Sequence, residues 1–183
     1  AGLAAAATAA KAGVESLLMD EQATPGGQVY RAVGETSVQR AALLGPDYQR
    51  GRELVEQFND SGAGYLPNTT LWNLNDQREI GILRDGQASL ICADRVIIAS
   101  GAMERPIPFP GWTLPGVMTA GAGQILLKSS GLVPGNGLVL AGVGPLLLLL
   151  AWQYLRAGVK IHAILDMAPT GNLWKALPHL PNA

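Results

Sequence analysis

Two stretches of the chain share one pattern of apolar and polar positions. The first twenty residues, "AGLAAAATAAKAGVESLLMD", and a later stretch, "LLLLLAWQYLRAGVKIHAILD", each run a helix-like segment into Ala-Gly-Val and then an apolar segment that ends in aspartate. Gly2 precedes Gly13 by eleven positions, and Leu147 precedes Gly158 by the same eleven. Helical and strand patterns that alternate in this way are typical of β-α-β units. The sequence therefore predicts an internal repeat, with one helix and one strand in each copy.

The second copy lies in a strongly apolar run that has two interpretations. No charged side chain occurs from Gly135 to Leu155, and roughly 18 or more apolar residues in a row are typical of a membrane helix. The same run contains Gly142-Val143-Gly144 directly after the apolar segment 137–141, which is typical of a nucleotide-binding strand and turn. Pro145 favours a first helical position and Gly158 a helix end. We therefore favour a strand, a turn and a helix over a membrane span.

The first copy is predicted to start inside a glycine-rich turn. Gly142, the first glycine of the later turn, lies five residues before Leu147, so its counterpart would precede the first residue of the chain. Gly2 then becomes the third glycine of a G-x-G-x-x-G turn, and the chain is expected to be a fragment. Such a turn is followed about 20 residues later by an acid that binds a ribose; Asp20 lies 18 positions after Gly2, with Glu21 next to it. The alternative is an amphipathic helix followed by a strand with a solvated end.

Between the two copies, local signals predict further elements. Pro25-Gly26-Gly27 indicates a turn in which backbone can approach a ligand closely. A helix is predicted from Asp47 to Asn59, with Asp47 as its cap, and Asp85-Gly86 indicates a β-hairpin turn. The segment "RVIIASGA", residues 95–102, is predicted to be a buried strand that leads into a turn of small residues. "RPIPFPGWTLPG", residues 105–116, is rich in Pro and Gly and marks a domain boundary.

Composition narrows the function classes. The chain has 183 residues, a net charge of −1 and only 15% charged residues, which suits a buried parallel sheet and leaves no basic patch for nucleic acid. Cys92 is the single cysteine, so a disulfide redox pair and a thiolate zinc site are excluded within the chain. His162 and His179 lack metal-ligand spacing, so no metal site is predicted. The start lacks a signal-peptide pattern, and cytoplasmic localisation is expected.

The segments "DEQATPGGQVYR", "IIASGAMERPIPFPGWTLPGVMTAGAGQILLK" and "AGVGPLLLLLAWQYLRAGV" together resemble the two-dinucleotide-domain flavoproteins. The chain is similar to the FAD-containing subunits of bacterial amino-acid and opine dehydrogenases, the group with hydrogen cyanide synthase, opine oxidase and proline/hydroxyproline dehydrogenase. The resemblance covers nearly the whole chain. It implies a doubly wound, Rossmann-like α/β fold, with a partial FAD-binding domain at 1–111 and a partial NAD(P)-binding-like domain at 112–183.

The resemblance also implies a cofactor site. It places FAD against the following residues: Gly2 beside the pyrophosphate; Asp20, with Glu21 next to it, on the ribose; Gly26, Gly27, Gln28 and Arg31 in a GGQ-x-x-R loop; the backbone of Leu71 or Trp72 at the adenine edge; and Ser100, Gly101 and Ala102 in a small-residue turn. It implies an amino-acid or opine substrate and, as partners, an electron acceptor and a second catalytic subunit. It names no catalytic residue, because the flavin carries the chemistry in this class.

The second fingerprint departs from the pattern. Gly142 and Gly144 are present, but Leu147 stands where the third glycine lets helix and strand pack closely. An overpacked contact costs about 1–3 kcal/mol, and a helix that moves away aims less well at a pyrophosphate. Asp166, at the ribose-reading position, would repel the extra phosphate of NADP. This second site is expected to hold NAD(P), ADP or ATP weakly, or no nucleotide.

Two other functions stay open at this stage. One is an NAD(P)H-dependent flavoprotein reductase of the ferredoxin or nitrite reductase type. The other is a nucleotide-binding assembly subunit without redox turnover. As part of an FAD-dependent oxidoreductase, the 183-residue chain is expected to be inactive by itself, because half of the first glycine turn and the C-terminal flavin segment of such proteins are missing from it.

Overall fold

The computed structural model describes residues 1–135, 137–169 and 171. The chain divides into two compact units, Ala1–Ile107 and Pro108–Ala183. The division falls within the predicted Pro- and Gly-rich connector. The assignment of residues 1–111 and 112–183 to an FAD domain and a second nucleotide-binding domain stays a prediction. His179, one of the two histidines, lies outside the described residues.

The first unit begins with a helix and then alternates strands and helices before it ends in an antiparallel sheet. Its elements are α1 (Gly2–Lys11), β1 (Leu17–Met19), α2 (Val38–Leu44), α3 (Pro46–Asn59), β2 (Gly64–Leu66), β3 (Thr69–Leu74), β4 (Glu79–Arg84) and β5 (Gln87–Cys92). β1 and β2 form a parallel pair, and β3, β4 and β5 form a separate antiparallel sheet. The predicted helix and strand of the first repeat copy are therefore both present.

The core of this unit lies between α1 and α3. Leu3, Ala6 and Ala7 are buried on one face of α1 at i, i+3 and i+4 spacing, and Phe58 of α3 packs into them,. The Phe58 ring meets Tyr65 of β2 edge-on, with ring centroids 6.0 Å apart. Small alanines allow the two helices to approach closely, and one large ring fills the space between them.

The predicted hairpin is confirmed. Asp85 and Gly86 join β4 to β5 with φ angles of 51° and 76°, and positive φ at both central residues is the requirement of a type I′ turn. Ile80 and Ile82 of β4 are buried. A register irregularity in β3 lies at Trp72, whose ring covers Gly81 so closely that a Cβ there would lie 2.7 Å from it.

The prediction of a buried strand at residues 95–102 is wrong. This segment forms no strand, and Ile97 and Ile98 are 70% and 76% exposed. A strand exists only where a neighbour satisfies its backbone hydrogen bonds. None of the described strands pairs with this segment, so its backbone gains no ladder of hydrogen bonds.

The helix predicted from Asp47 begins one residue earlier, at Pro46, and Asp47 is not its cap. Gly45, with φ of 99°, occupies the cap position, and Pro46 takes the first helical position, which suits its fixed φ and missing N–H. Asp47 lies in the first turn and pairs with Arg50 at 2.8 Å. α2 was not predicted, although Ser37 caps it by accepting a hydrogen bond from the Arg40 N–H, which is a typical start signal.

The second unit contains the predicted β-α-β arrangement. Its described elements are α4 (Ala120–Ser130), β6 (Leu138–Gly142), α5 (Pro145–Arg156) and β7 (Ile161–Asp166). β6 and β7 are parallel, and α5 connects them. As predicted, Pro145 begins α5 and Gly158 follows its end with φ of 83°.

The apolar run does not form a membrane span. It is divided between β6 and α5, and α5 has 12 residues, which correspond to a length of about 18 Å. No helix in the described part of the chain combines the length and the apolar character that a bilayer crossing requires.

The α1–α3 contact gives a stability prediction. Phe58 is 2% exposed, so Phe58→Ala should lower the free energy of unfolding by about 3–5 kcal/mol, through lost burial and the cavity that remains. Urea unfolding measures the change. Gln57→Ala, at the exposed neighbouring position, is the control and should stay within about 0.5 kcal/mol. Equal effects of the two substitutions would contradict this account of the core.

Candidate functional site

The start of α1 packs closely on its surroundings because residue 2 is glycine. A Cβ at Gly2 would lie 3.1 Å from Leu18 Cδ1 of β1 and 3.4 Å from Ala99 Cβ, so a larger residue would push the helix away. The first backbone N–H groups of a helix have no acceptor within the helix, and no acidic side chain lies in the first turn of α1. This helix end can therefore receive an anion.

Asp20 lies directly after β1 and is fixed by three hydrogen bonds. Its N–H donates to the Leu66 carbonyl at 3.1 Å, and its carbonyl accepts from the Thr69 N–H at 2.9 Å. Its Oδ1 accepts from the Gln22 N–H at 2.9 Å. α1 runs antiparallel to β1, so the start of α1 and Asp20 lie at the same edge of the strand pair. A carboxylate and a helix N-terminus at this edge are the arrangement that dinucleotide-binding folds use.

A loop that contains the Gly-Gly pair folds back toward Asp20. An Nη of Arg31 donates to Oε1 of Gln22, while the Gln22 carbonyl accepts from the Tyr65 hydroxyl at 3.2 Å. The predicted turn is present: Gly26 and Gly27 have φ of 141° and 61°. A Cβ at Gly26 would lie 2.2 Å from the Tyr30 carbonyl oxygen, so only glycine fits there.

The remaining predicted residues of the first unit fall into three groups along the chain. Ser100, Gly101 and Ala102 are exposed and follow directly on Ala99, the residue beside Gly2. Leu71 of β3 is 45% exposed and Trp72 is 58% exposed. β3 begins at Thr69, whose N–H is bonded to Asp20, so Leu71 lies two residues along the chain from the Asp20 contact. Glu21 and Gln28 lie in the loop that connects β1 to α2.

Sequence reasoning missed Gln22 and Tyr65, the two side chains that link the loop to β2. No local pattern marks them, because both act through contacts to residues distant in sequence. Burial, and to a smaller extent the negative charge of Asp20, raises the pKa of Tyr65 to about 12. The phenol therefore stays protonated and remains a hydrogen-bond donor to Gln22 at neutral pH.

The second unit repeats the aspartate geometry of the first. Oδ1 of Asp166, at the end of β7, accepts from the Ala168 N–H at 2.9 Å, as Oδ1 of Asp20 accepts from the residue two positions on. The Met167 N–H donates to the Gly142 carbonyl at 2.9 Å. Gly142 therefore ends β6 beside Asp166, and Gly144 caps α5.

The helix start of the second unit differs from that of the first. Leu147 is 5% exposed and belongs to the core of its unit. Its Cδ1 lies 3.8 Å from the position of a Cβ on Gly142, which is ordinary van der Waals contact and not overpacking. The expected steric conflict is therefore absent between this pair: the leucine fills the space between helix and strand that a glycine would leave for closer approach.

No group of three or more His, Cys, Asp or Glu side chains in the described ranges could hold a metal ion. Cys92 is exposed. The chemistry-bearing features of the described chain are thus helix starts, strand-end aspartates and the Gly-Gly loop, which together define a class of protein: α/β proteins that bind dinucleotides at the carboxyl ends of parallel strands.

The comparison with protein families agrees with this class. Residues 1–170 match the family model described as pyridine nucleotide-disulphide oxidoreductase, and the chain belongs to this family. Membership implies binding of FAD, NAD(P) or both.

Individual relatives are considerably longer than this chain. It is 44% identical over 189 residues to an opine oxidase subunit of Rhizobium meliloti, with 99% of this chain and 36% of the relative covered. It is 35% identical over 176 residues to the hydrogen cyanide synthase subunit HcnB of Pseudomonas aeruginosa, covering 94% of this chain and 38% of the relative. The chain thus spans less than two fifths of the length of either relative.

Among solved structures, the L-proline dehydrogenase from P. horikoshii matches with a TM-score of 0.68 at 19% identity, over 90% of this chain and 32% of that one. This match shows the fold: the predicted Rossmann-like α/β class is confirmed.

The environment of Tyr65 gives a pH prediction. The pKa of Tyr65 in the folded protein, about 12, exceeds the usual tyrosine value of about 10, so the folded state favours the protonated phenol. Its contribution to the free energy of unfolding is complete below pH 10 and is lost as the pH rises toward 12. The ultraviolet difference spectrum between the wild type and Tyr65→Phe should show a tyrosinate that forms near pH 12. Asp20→Asn should lower this pKa slightly, because burial is the larger cause. A Tyr65 step at pH 10 would contradict the prediction.

Proposed function

We propose that this chain is part of an FAD-dependent oxidoreductase, the flavoprotein subunit of an amino-acid or opine dehydrogenase or oxidase. The observation that carries the proposal is Asp20, fixed at the end of β1 at the same edge as the open start of α1. Similarity to subunits of opine oxidase and hydrogen cyanide synthase supports the substrate class.

The residues of the first unit fit FAD. Nε of Arg31 is buried and has no hydrogen-bond partner among the described residues, which is costly unless a ligand or water supplies an acceptor. Gly2 leaves backbone N–H groups at the start of α1 for the pyrophosphate, and Asp20 offers carboxylate oxygen to ribose hydroxyls. Gly26 and Gly27 allow backbone to approach the cofactor without a Cβ in the way.

The other predicted contacts complete this site. The Gln28 side chain and the backbone of Leu71 provide polar groups for the ribityl chain and the adenine edge. Ser100, Gly101 and Ala102 follow the segment beside Gly2 and offer a hydroxyl and unhindered backbone. Glu21 is the neighbouring acid and serves as the comparison for Asp20 rather than as a second ribose ligand.

When bound, FAD supplies the capacity to accept two electrons from a C–N bond. The described residues of this chain bind and orient the cofactor, and none of them is assigned as a general acid or base. Both relatives are named as subunits, so we expect an acceptor that removes electrons and a second catalytic subunit that delivers substrate.

For the second unit we propose a weak nucleotide site. Gly142, Gly144 and Asp166 occupy the positions of the fingerprint and the ribose acid. Leu147 fills the contact between helix and strand, and Pro145 contributes no N–H at the start of α5. The site holds NAD, ADP or ATP weakly or stays empty, and NADH is a poor reductant of the flavin.

Asp20 gives the first test of this function. In the whole protein, Asp20→Ala should weaken FAD binding roughly 10- to 150-fold, the effect of losing a charge-assisted hydrogen bond. Asp20→Asn keeps an oxygen for the Gln22 N–H and separates the loss of charge from the loss of the turn. Flavin retained after dialysis measures the effect, and Glu21→Ala is the control. Unchanged FAD content in both Asp20 variants would refute the ribose assignment.

Leu147 gives the second test. Leu147→Gly should tighten NAD binding, because α5 can then approach β6, although loss of a buried leucine should lower stability by at least about 2–5 kcal/mol. Nucleotide titration below the unfolding temperature measures the affinity. Leu150→Gly removes a leucine that is 3% exposed in the same helix and should destabilise without tightening. Rapid reduction of the unmutated flavoprotein by NADH would instead favour the reductase function.

A further inference from the structure

One face of α3 is bonded to the cofactor loop, defined here as residues 26–36. Tyr48 is 5% exposed, and its hydroxyl donates to the Arg31 carbonyl at 2.6 Å. The same hydroxyl lies 2.8 Å from Oγ1 of Thr36, which in turn lies 2.6 Å from the Ala32 carbonyl. A single buried phenol thus links the middle of the cofactor loop to its end.

Arg52 makes a second connection, one helical turn further along α3. Its Nε donates to the Val33 carbonyl at 3.2 Å, and an Nη donates to the Thr36 carbonyl at 2.6 Å. The guanidinium therefore satisfies two backbone carbonyls of a loop whose own backbone hydrogen bonds form only isolated turns. Such charge-assisted bonds are stronger than neutral ones.

Gly51 makes the third connection by steric fit. A Cβ at Gly51 would lie 2.4 Å from Cδ1 of Tyr30, so the Tyr30 ring rests directly on the helix backbone. Gly51 is buried, and Tyr30 immediately precedes Arg31. Tyr48, Gly51 and Arg52 stand at i, i+3 and i+4, which is one face of a helix.

From these contacts we propose that the Tyr48–Gly51–Arg52 face of α3 is a positioning device for the cofactor: it holds the loop so that Arg31 is aimed at FAD before FAD binds. The inference rests on the proposed function. The Arg31 carbonyl accepts a hydrogen bond from the Tyr48 hydroxyl, and the Arg31 guanidinium donates one to the Gln22 side chain. A loop ordered in advance loses less conformational entropy when the ligand binds, and affinity rises accordingly.

Tyr48→Phe removes only the hydroxyl and keeps the ring in place. In the whole protein, stripped of flavin and titrated with FAD, this variant should bind FAD roughly 3- to 10-fold more weakly, the effect of one hydrogen bond. Hydrogen exchange of the cofactor loop in the flavin-free protein should accelerate and return toward the wild-type rate at saturating FAD. Tyr154→Phe, which alters another buried tyrosine, is the matched control and should change neither quantity.

A double-mutant cycle separates positioning from general stability. If Tyr48 acts through Arg31, then Tyr48→Phe should cost much less affinity in an Arg31→Ala background than in the wild type, since contacting groups are not additive. Equal costs in both backgrounds, or unchanged FAD affinity with a loosened loop, would overturn the positioning role. A wild-type protein that binds no FAD at all would refute the proposed function and this inference with it. If the wild type binds FAD and Tyr48→Phe leaves the FAD affinity unchanged, the inference is refuted but the proposed function is not.

Discussion

The hydrogen bonds at Asp20 fix the backbone at the end of β1, and the rest of the candidate site depends on them. The carbonyl of Asp20 anchors the start of β3, its N–H is bonded to the end of β2, and its carboxylate closes the turn at Gln22. One segment distant in sequence, from the end of β2 to the start of β3, is therefore bonded to Asp20 on both sides of its peptide backbone, and the carboxylate closes a local turn. Because the backbone on both sides is fixed, the carboxylate has a defined direction, and this is the condition for selective binding of a ribose.

α3 serves two purposes at its two ends. Near its C-terminal end, Phe58 fills the core against α1 and so supports the helix start at Gly2. Near its N-terminal end, Tyr48, Gly51 and Arg52 hold the cofactor loop. Core stability and loop order are thus coupled through one helix, so a substitution that shifts α3 would disturb both the packing of α1 and the 26–36 loop.

The two repeat copies have similar folds but differ at one position near the helix start, which is glycine in the first copy and leucine in the second. Both end in an aspartate whose carboxylate accepts from the N–H two residues later, at the same distance of 2.9 Å. A Cβ added at Gly2 in the first copy would lie 3.1 Å from Leu18 Cδ1, whereas Leu147 Cδ1 in the second copy lies 3.8 Å from the position of a Cβ on Gly142. The folded backbone accepts either residue. What differs is how closely the helix start can approach its strand, and this distance governs pyrophosphate binding.

Features that depend on local backbone preference were correctly predicted from the sequence. The start of α5 at Pro145, the end marked by Gly158, the turn at Asp85-Gly86 and the strand that ends in Asp166 each follow from residues adjacent to the feature. The sequence also singled out Asp20 and the Gly-Gly loop as site candidates. Only the tertiary structure decided that "RVIIAS" pairs with none of the described strands, and that Gln22, Tyr48 and Arg52 hold the loop. Strand formation and these hydrogen bonds both require partners distant in the chain, and no local pattern of residues encodes where those partners will lie.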